Sequence, residues 1–146
     1  MEADMTDSTP KKTHRSPHSE SAILIVEDHS LVRHALCDLF GIIFPQWVVL
    51  EAQSGEEALV LAAQHRPRLV LMDVRLPGID GIEATRQLKA SAPATLVVIL
   101  SAHEAADYET ASISAGACAY VAKRTMHTRL VPLLQELLPA QPDSGE

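Results

Sequence analysis

Short apolar runs recur along the chain at residues 22–26, 47–52, 69–72, 95–100 and 118–122, each bounded by polar or turn-forming residues. Runs of this length, mostly rich in Val, Ile and Leu, predict strands buried on both faces of a parallel sheet. The segments between them repeat apolar residues at helical spacing. After the first run, Ser30 is expected to cap a helix with Leu31, Val32, Ala35, Leu36, Leu39, Phe40 and Ile43 on one face, stopped by Pro45. Ser54 and Glu57 stand three apart as a capping box and open a helix to about His65. Asp80 and Glu83 open another, to about Ser91. Residues 104–115 predict a weaker helix, rich in Ala and Ser and closed by Gly116. The last helix displays Leu130, Leu133, Leu134, Leu137 and Leu138; Pro132 requires it either to start near Thr128 or to kink. Strands alternating with helices through short loops predict an α/β fold, a doubly wound parallel sheet of five strands with five helices.

A chain of 146 residues has room for one domain with a full core. Residues 1–20 carry mixed charge and little to bury, and predict a disordered arm; residues 21–138 form the domain and 139–146 a polar tail. Lys11, Lys12 and Arg15 in the arm read as solvated charges. The net charge of −7 argues against direct nucleic-acid binding, which needs a basic stripe, but does not exclude a divalent cation, which would want clustered acids. Cys37 and Cys118 lie among apolar residues and read as buried thiols. The seven histidines show no paired ligand spacing, so zinc is not expected. Without a membrane-length apolar run or a signal-peptide core, a cytoplasmic location with no membrane association is expected.

The polar residues that close the strands carry the candidate chemistry. Glu27-Asp28 follow the first strand, Asp73 ends the third, Ser101 the fourth, and Lys123 the fifth. In a parallel α/β sheet these ends share one edge, where such folds place their sites. Clustered carboxylates raise one another's pKa unless a cation relieves them, and a few hard oxygen ligands suit Mg²⁺. A lysine and a hydroxyl opposite the acids match the needs of a bound phosphoryl group. Taken singly, each residue has a plainer reading: a helix-start acid, an exposed charge, a helix cap, and for Tyr120 a core aromatic.

The ordered set Ile25-Val26-Glu27-Asp28-His29, Leu71-Met72-Asp73-Val74-Arg75-Leu76-Pro77-Gly78-Ile79-Asp80-Gly81, Ile99-Leu100-Ser101-Ala102 and Tyr120-Val121-Ala122-Lys123 closely resembles the receiver domain of bacterial two-component response regulators. The resemblance spans roughly residues 20–138 and implies a flavodoxin-like strand order 2-1-3-4-5. It implies that Asp73 is the phosphoacceptor of a phosphorelay, receiving a phosphoryl group from a histidine kinase or phosphotransfer protein. Mg²⁺ would be held by Asp28 directly, Glu27 through water, Asp73, and the Arg75 backbone carbonyl. Lys123 would pair with the phosphoryl group, and Ser101 would donate to it. Tyr120 would move inward as the switch aromatic, altering a partner-binding face formed by residues 104–115, Tyr120 and the last helix; a homodimer is compatible with this.

Such a protein is not an enzyme in the metabolic sense, although it catalyses its own Mg²⁺-dependent phosphorylation and dephosphorylation. Arg75 and His103, each two residues past a site residue, are candidates for tuning the acyl-phosphate lifetime. Ser101 replaces the commoner threonine, and Arg124 stands where many receivers carry proline, so no cis peptide is expected there. These features look most like receivers that precede a LuxR-type DNA-binding helix-turn-helix. The alternative reading is therefore the amino-terminal regulatory half of a transcription regulator. A haloacid-dehalogenase phosphatase would carry a second Asp where Arg75 stands, and a flavin site would need a Ser/Thr/Gly-rich loop after the first strand.

Overall fold

The computed structural model describes residues 22–102 and 106–139. Five parallel strands form one sheet: β1 (Ala22–Val26), β2 (Val48–Ala52), β3 (Leu69–Asp73), β4 (Leu96–Ser101) and β5 (Ala119–Ala122). Their spatial order is β2-β1-β3-β4-β5, the expected 2-1-3-4-5. The helices are α1 (Ser30–Ile43), α2 (Gly55–His65), α3 (Gly81–Ser91), α4 (Ala106–Ser114) and α5 (Met126–Leu137), with a 3₁₀ turn at Lys123–Thr125 before the last.

Alternation along the strands explains the continuous apolar runs. Leu24, Val26, Val70, Met72, Val97 and Ile99 point to one face and pack with Ala58 and Ala62 of α2, Leu88 of α3, and Ala115 and Ala117 beyond α4. Their neighbours Ile23, Ile25, Leu69, Leu71, Val98 and Leu100 point to the other, against Leu36 and Phe40 of α1 and Leu130 and Leu134 of α5. The three central strands have helices on both sides, so every position is apolar until the strand reaches its carboxyl end. Burying one such Leu or Ile contributes about 1.5–3 kcal/mol. The half-buried edge strand β2 shows the weaker pattern of a one-sided environment.

The helix starts at α2 and α3 follow the expected chemistry. Ser54 accepts from the Glu57 backbone N–H, while Glu57 reaches back to the N–H of Gln53. Asp80 accepts from the Glu83 N–H. At α1 the expectation needs correction. His29, not Ser30, occupies the N-cap position, with no side-chain cap hydrogen bond. The buried face also differs: Leu31 is 75% exposed and Ala35 is exposed, while Arg33 is buried in line with Leu36 and Phe40. Helix α5 continues unbroken through Pro132 and begins at Met126, ahead of Thr128. Pro132 lies on its exposed side while Leu130, Leu134 and Leu138 anchor the other, so one missing backbone donor is tolerated. Cys118 is exposed and Cys37 half-buried, so the expectation of two buried thiols fails; both are free. Among the described residues there is no cis peptide bond. No described helix is long and apolar enough to cross a membrane. The expected arm and all but Pro139 of the expected tail lie outside the described residues, as do the start of the 104–115 helix and His103.

Candidate phosphoacceptor site

Sheet register brings the strand-end residues together. Val26 is paired with Met72, so Glu27 and Asp73 follow side by side at the ends of β1 and β3. Asp73 is paired with Leu100, which puts Ser101 one step beyond it on β4. Ser101 is paired with Ala122, and Lys123 leaves β5 immediately after. The cleft lies where the chain order reverses, β1 being followed by β2 on one side and flanked by β3 on the other.

The loop after Asp73 is shaped by two glycines. Gly78 adopts φ +77°, a left-handed conformation that side chains rarely adopt, and the Glu56 carboxylate of α2 crowds it while accepting from the Ile79 N–H. Gly81 opens α3 directly over Asp73, and its N–H donates to the Val74 carbonyl. A Cβ at Gly81 would collide with the Asp73 carbonyl oxygen. The Asp-Gly pair that starts α3 is thus also what lets that helix close over the site.

Lys123 bridges the acids. Its Nζ is 2.8 Å from Glu27 Oε1 and 3.5 Å from Asp73 Oδ2. Glu27 Oε2 accepts from the His29 backbone N–H at 3.0 Å, so both Glu27 oxygens have partners. Glu27 is 2% exposed and Asp73 5%, whereas Asp28 is exposed. Burial pushes the Asp73 carboxyl up to about 6, and the Glu27 carboxylate adds to the rise; Lys123 and the Arg75 backbone N–H oppose it without cancelling it. Burial works to lower Lys123, but its hydrogen bond to Glu27 and the nearby Asp73 charge outweigh that and raise it.

Oxygen atoms of Glu27, Asp28 and Asp73 lie within 4.8 Å of one another. With all three ionised, one ammonium leaves two negative charges in excess. The donors are hard oxygens from one edge of the cleft, with one carboxylate open to solvent. This set fits a divalent cation such as Mg²⁺ that retains waters.

Ser101 is fully buried at the end of β4. Tyr120 is half-buried opposite Ile99 and packs on the α2–α4 side of the core. Arg75 is exposed on the β3–α3 loop. His103 falls outside the described residues. A groove of about 990 Å³, lined by Ala62, Arg66, Arg68, Leu88 and Ala92 among others, lies by the far ends of α2 and α3 and shares no residue with this cleft.

One residue at the cleft escapes a reading by apolar periodicity. Arg33, on the buried stripe of α1, donates from Nη1 to the Glu27 carbonyl and from Nε to Glu51 Oε1, both at 2.9 Å. Its sequence signal is spacing alone: position 33 stands three and seven residues before Leu36 and Phe40, on the same face as the core residues, with nothing local to name its acceptors.

A family model for the response regulator receiver domain matches residues 23–135. The response regulator GacA of Pseudomonas protegens is 43% identical over 101 residues, covering 69% of this chain and 47% of that protein. GacA of Pseudomonas aeruginosa is 37% identical over 119 residues, covering 82% of this chain and 56% of its own length. The chain thus spans about half the length of these curated relatives. Among solved structures, a LuxR-family two-component response regulator from Aurantimonas superposes with a TM-score of 0.76 at 32% identity, covering 84% of this chain and 88% of that one. The BeF3-activated receiver domain of Klebsiella pneumoniae RstA gives 0.74 at 28% identity, covering 81% and 98%.

Proposed function

The chain belongs to the response regulator receiver domain family, and from that premise we propose that it accepts a phosphoryl group on Asp73 and thereby switches a partner-binding face. The observation that carries this reading is Asp73, buried at the end of β3 beside Glu27, with the Lys123 ammonium bridging the two carboxylates. A carboxylate oxygen of Asp73 attacks the phosphorus of a phosphohistidine on a kinase or phosphotransfer protein. The phosphorus–nitrogen bond breaks, the departing imidazole keeps the electron pair and takes a proton, and an acyl phosphate remains. Hydrolysis reverses the role of Asp73: water attacks phosphorus and the carboxylate leaves. The chain promotes both steps on itself and turns over no separate metabolite.

Lys123 would exchange part of its pairing with the acids for a phosphoryl oxygen, and the Ser101 hydroxyl would donate to another. Glu27, Asp28, Asp73 and the Arg75 carbonyl would hold Mg²⁺, which neutralises charge on the transferring phosphoryl group. Phosphorylation replaces the single carboxylate charge with a phosphoryl group carrying about −1.5 to −2, a net addition of up to about one negative charge. The receiving element is α4, which buries only Ser112 among its described residues and leaves Ile113 exposed. So lightly packed a helix can shift at small cost, with Tyr120 beside it. Residues 104–115, Tyr120 and α5 form the face offered to a downstream protein or a second copy. Arg75, two residues after Asp73, and His103, two residues after Ser101, would tune the acyl-phosphate lifetime, so alanine at either changes the dephosphorylation rate. The place of action is the cytoplasm, with the kinase that supplies the phosphoryl group.

Intact-protein mass after incubation with Mg²⁺ and acetyl phosphate tests the reading. One added phosphoryl group is expected, lost on chelation and absent from Asp73→Asn. No adduct, with hydrolysis shown to be slow, would leave a receiver fold used for docking alone.

A second reading is favoured by the relatives' length and names. The chain matches about half of proteins that include the transcriptional activator ExaE of Pseudomonas putida and the transcriptional regulatory protein DegU of Brevibacillus brevis. On that reading this is the regulatory half of a DNA-binding regulator. A helix-turn-helix encoded in frame after Glu146 would establish it, and a stop codon there would exclude it.

A further inference from the structure

The carboxyl end of β1 poses a local problem. The Glu27 N–H still donates to the Ala52 carbonyl of β2 at 3.0 Å, but the chain then turns into α1, capped by His29. The Glu27 carbonyl leaves the strand ladder at a buried position and needs a donor from elsewhere. Arg33 supplies it through Nη1, and through Nε grips Glu51, the residue next to Ala52 on β2. The contacts close a ring of Glu27, Ala52, Glu51 and Arg33 across two strands and a helix. Burial first, and the Glu51 carboxylate next, push the Cys37 thiol one turn on up to about 11.

An arginine side chain only 7% exposed is a costly way to fill a helix–sheet interface that a leucine or methionine could fill. What it supplies, and an apolar side chain cannot, is a fixed Glu27 peptide. That peptide aims the Glu27 carboxylate at Lys123 and precedes exposed Asp28, so a shift there moves two of the three cleft acids together.

We propose that Arg33 is a positioning residue for the phosphorylation site, setting its divalent-cation affinity by holding the Glu27–Asp28 peptide against β2. The proposal rests on the reading of the cleft as a receiver site and adds a residue that touches none of the reacting atoms. Lysine can serve only one of the two acceptors, because it lacks the planar fork that spans them.

The test uses the full chain, with Mg²⁺ as probe. Calorimetric titration of Arg33→Met is expected to show Mg²⁺ binding weakened about tenfold, the scale of such outer-layer substitutions, with Arg33→Lys intermediate. Amide hydrogen exchange without metal supplies a second readout: Glu27 and His29 exchange faster in the variant, beyond any change at Val98 in the central strand. A purely structural tie would lower stability and speed all three amides together while leaving Mg²⁺ affinity within twofold of wild type, which overturns the proposal. Should Arg33→Met not fold, unchanged Mg²⁺ affinity in both Arg33→Lys and Glu51→Gln overturns it equally. Wild type that neither binds Mg²⁺ nor gains a phosphoryl group sinks the receiver reading and this proposal together; wild type that does both, with unaltered variants, sinks this proposal alone.

Discussion

Asp73 is the residue at which stability and chemistry oppose each other. Folded, its carboxyl holds a proton up to about pH 6; an ordinary carboxylate releases it at 3.8. The native state therefore binds more protons than the unfolded chain between about pH 4 and 6, and stability attributable to this group falls as pH rises through that window. Above it, the ionised Asp73 costs the fold up to about 3 kcal/mol. Asp73→Asn should remove that penalty: more stable than wild type at pH 7.5, level with it near pH 4, and unable to take a phosphoryl group. Urea denaturation across pH measures the crossing, and a variant less stable at pH 7.5 would refute the account. The acids, Ser101 and Lys123 were legible because a polar residue ending an apolar run stands out. Arg33 was not, because a charged residue inside a helical stripe reads as a solvated interruption until the acceptors beside it are known.

At the scale of elements, the turn into α3 and the proline in α5 make opposite demands. Gly81→Ala forces a methyl group into the Asp73 carbonyl, so either α3 or the end of β3 must move. The expected cost is about 1–3 kcal/mol, together with slower labelling by acetyl phosphate. Pro132→Ala restores the missing donor on an exposed face of α5 and should stabilise by about 1–3 kcal/mol without altering labelling. Denaturation midpoints read both; a neutral Gly81→Ala would mean the helix start relaxes freely. Strands and their order were readable because central strands buried on both faces leave unbroken apolar runs. Helix detail was less so. Leu31 is exposed and Arg33 buried because tertiary partners override apolar identity, and α5 starts early because its leucine stripe outweighs one absent hydrogen bond.

The whole molecule couples the cleft to the fold, because the acids reach one another only when β1 and β3 pair. Glu27 and Asp28 are far in sequence from Asp73, and an unfolded chain does not gather them. A divalent cation that needs all three binds the native state alone and stabilises it by RT ln(1 + [L]/Kd), about 1.4 kcal/mol at ten times Kd. For a domain of this size that corresponds to a rise in Tm of roughly 3–8 °C on adding Mg²⁺ at pH 7.5, beyond the effect of an equal ionic strength of KCl. The sign of its pH dependence is determined by Asp73. Below about pH 6 its carboxyl is protonated, the proton competes with the cation, and the Mg²⁺-induced rise should shrink steadily toward pH 4.5. Asp73→Asn should show a smaller rise with little pH dependence over that range. Thermal scans with and without Mg²⁺ at several pH values separate the cases: a rise undiminished at pH 4.5 would put the cation somewhere other than beside Asp73, and would break the link between charge repulsion in the cleft and the stability of the sheet beneath it.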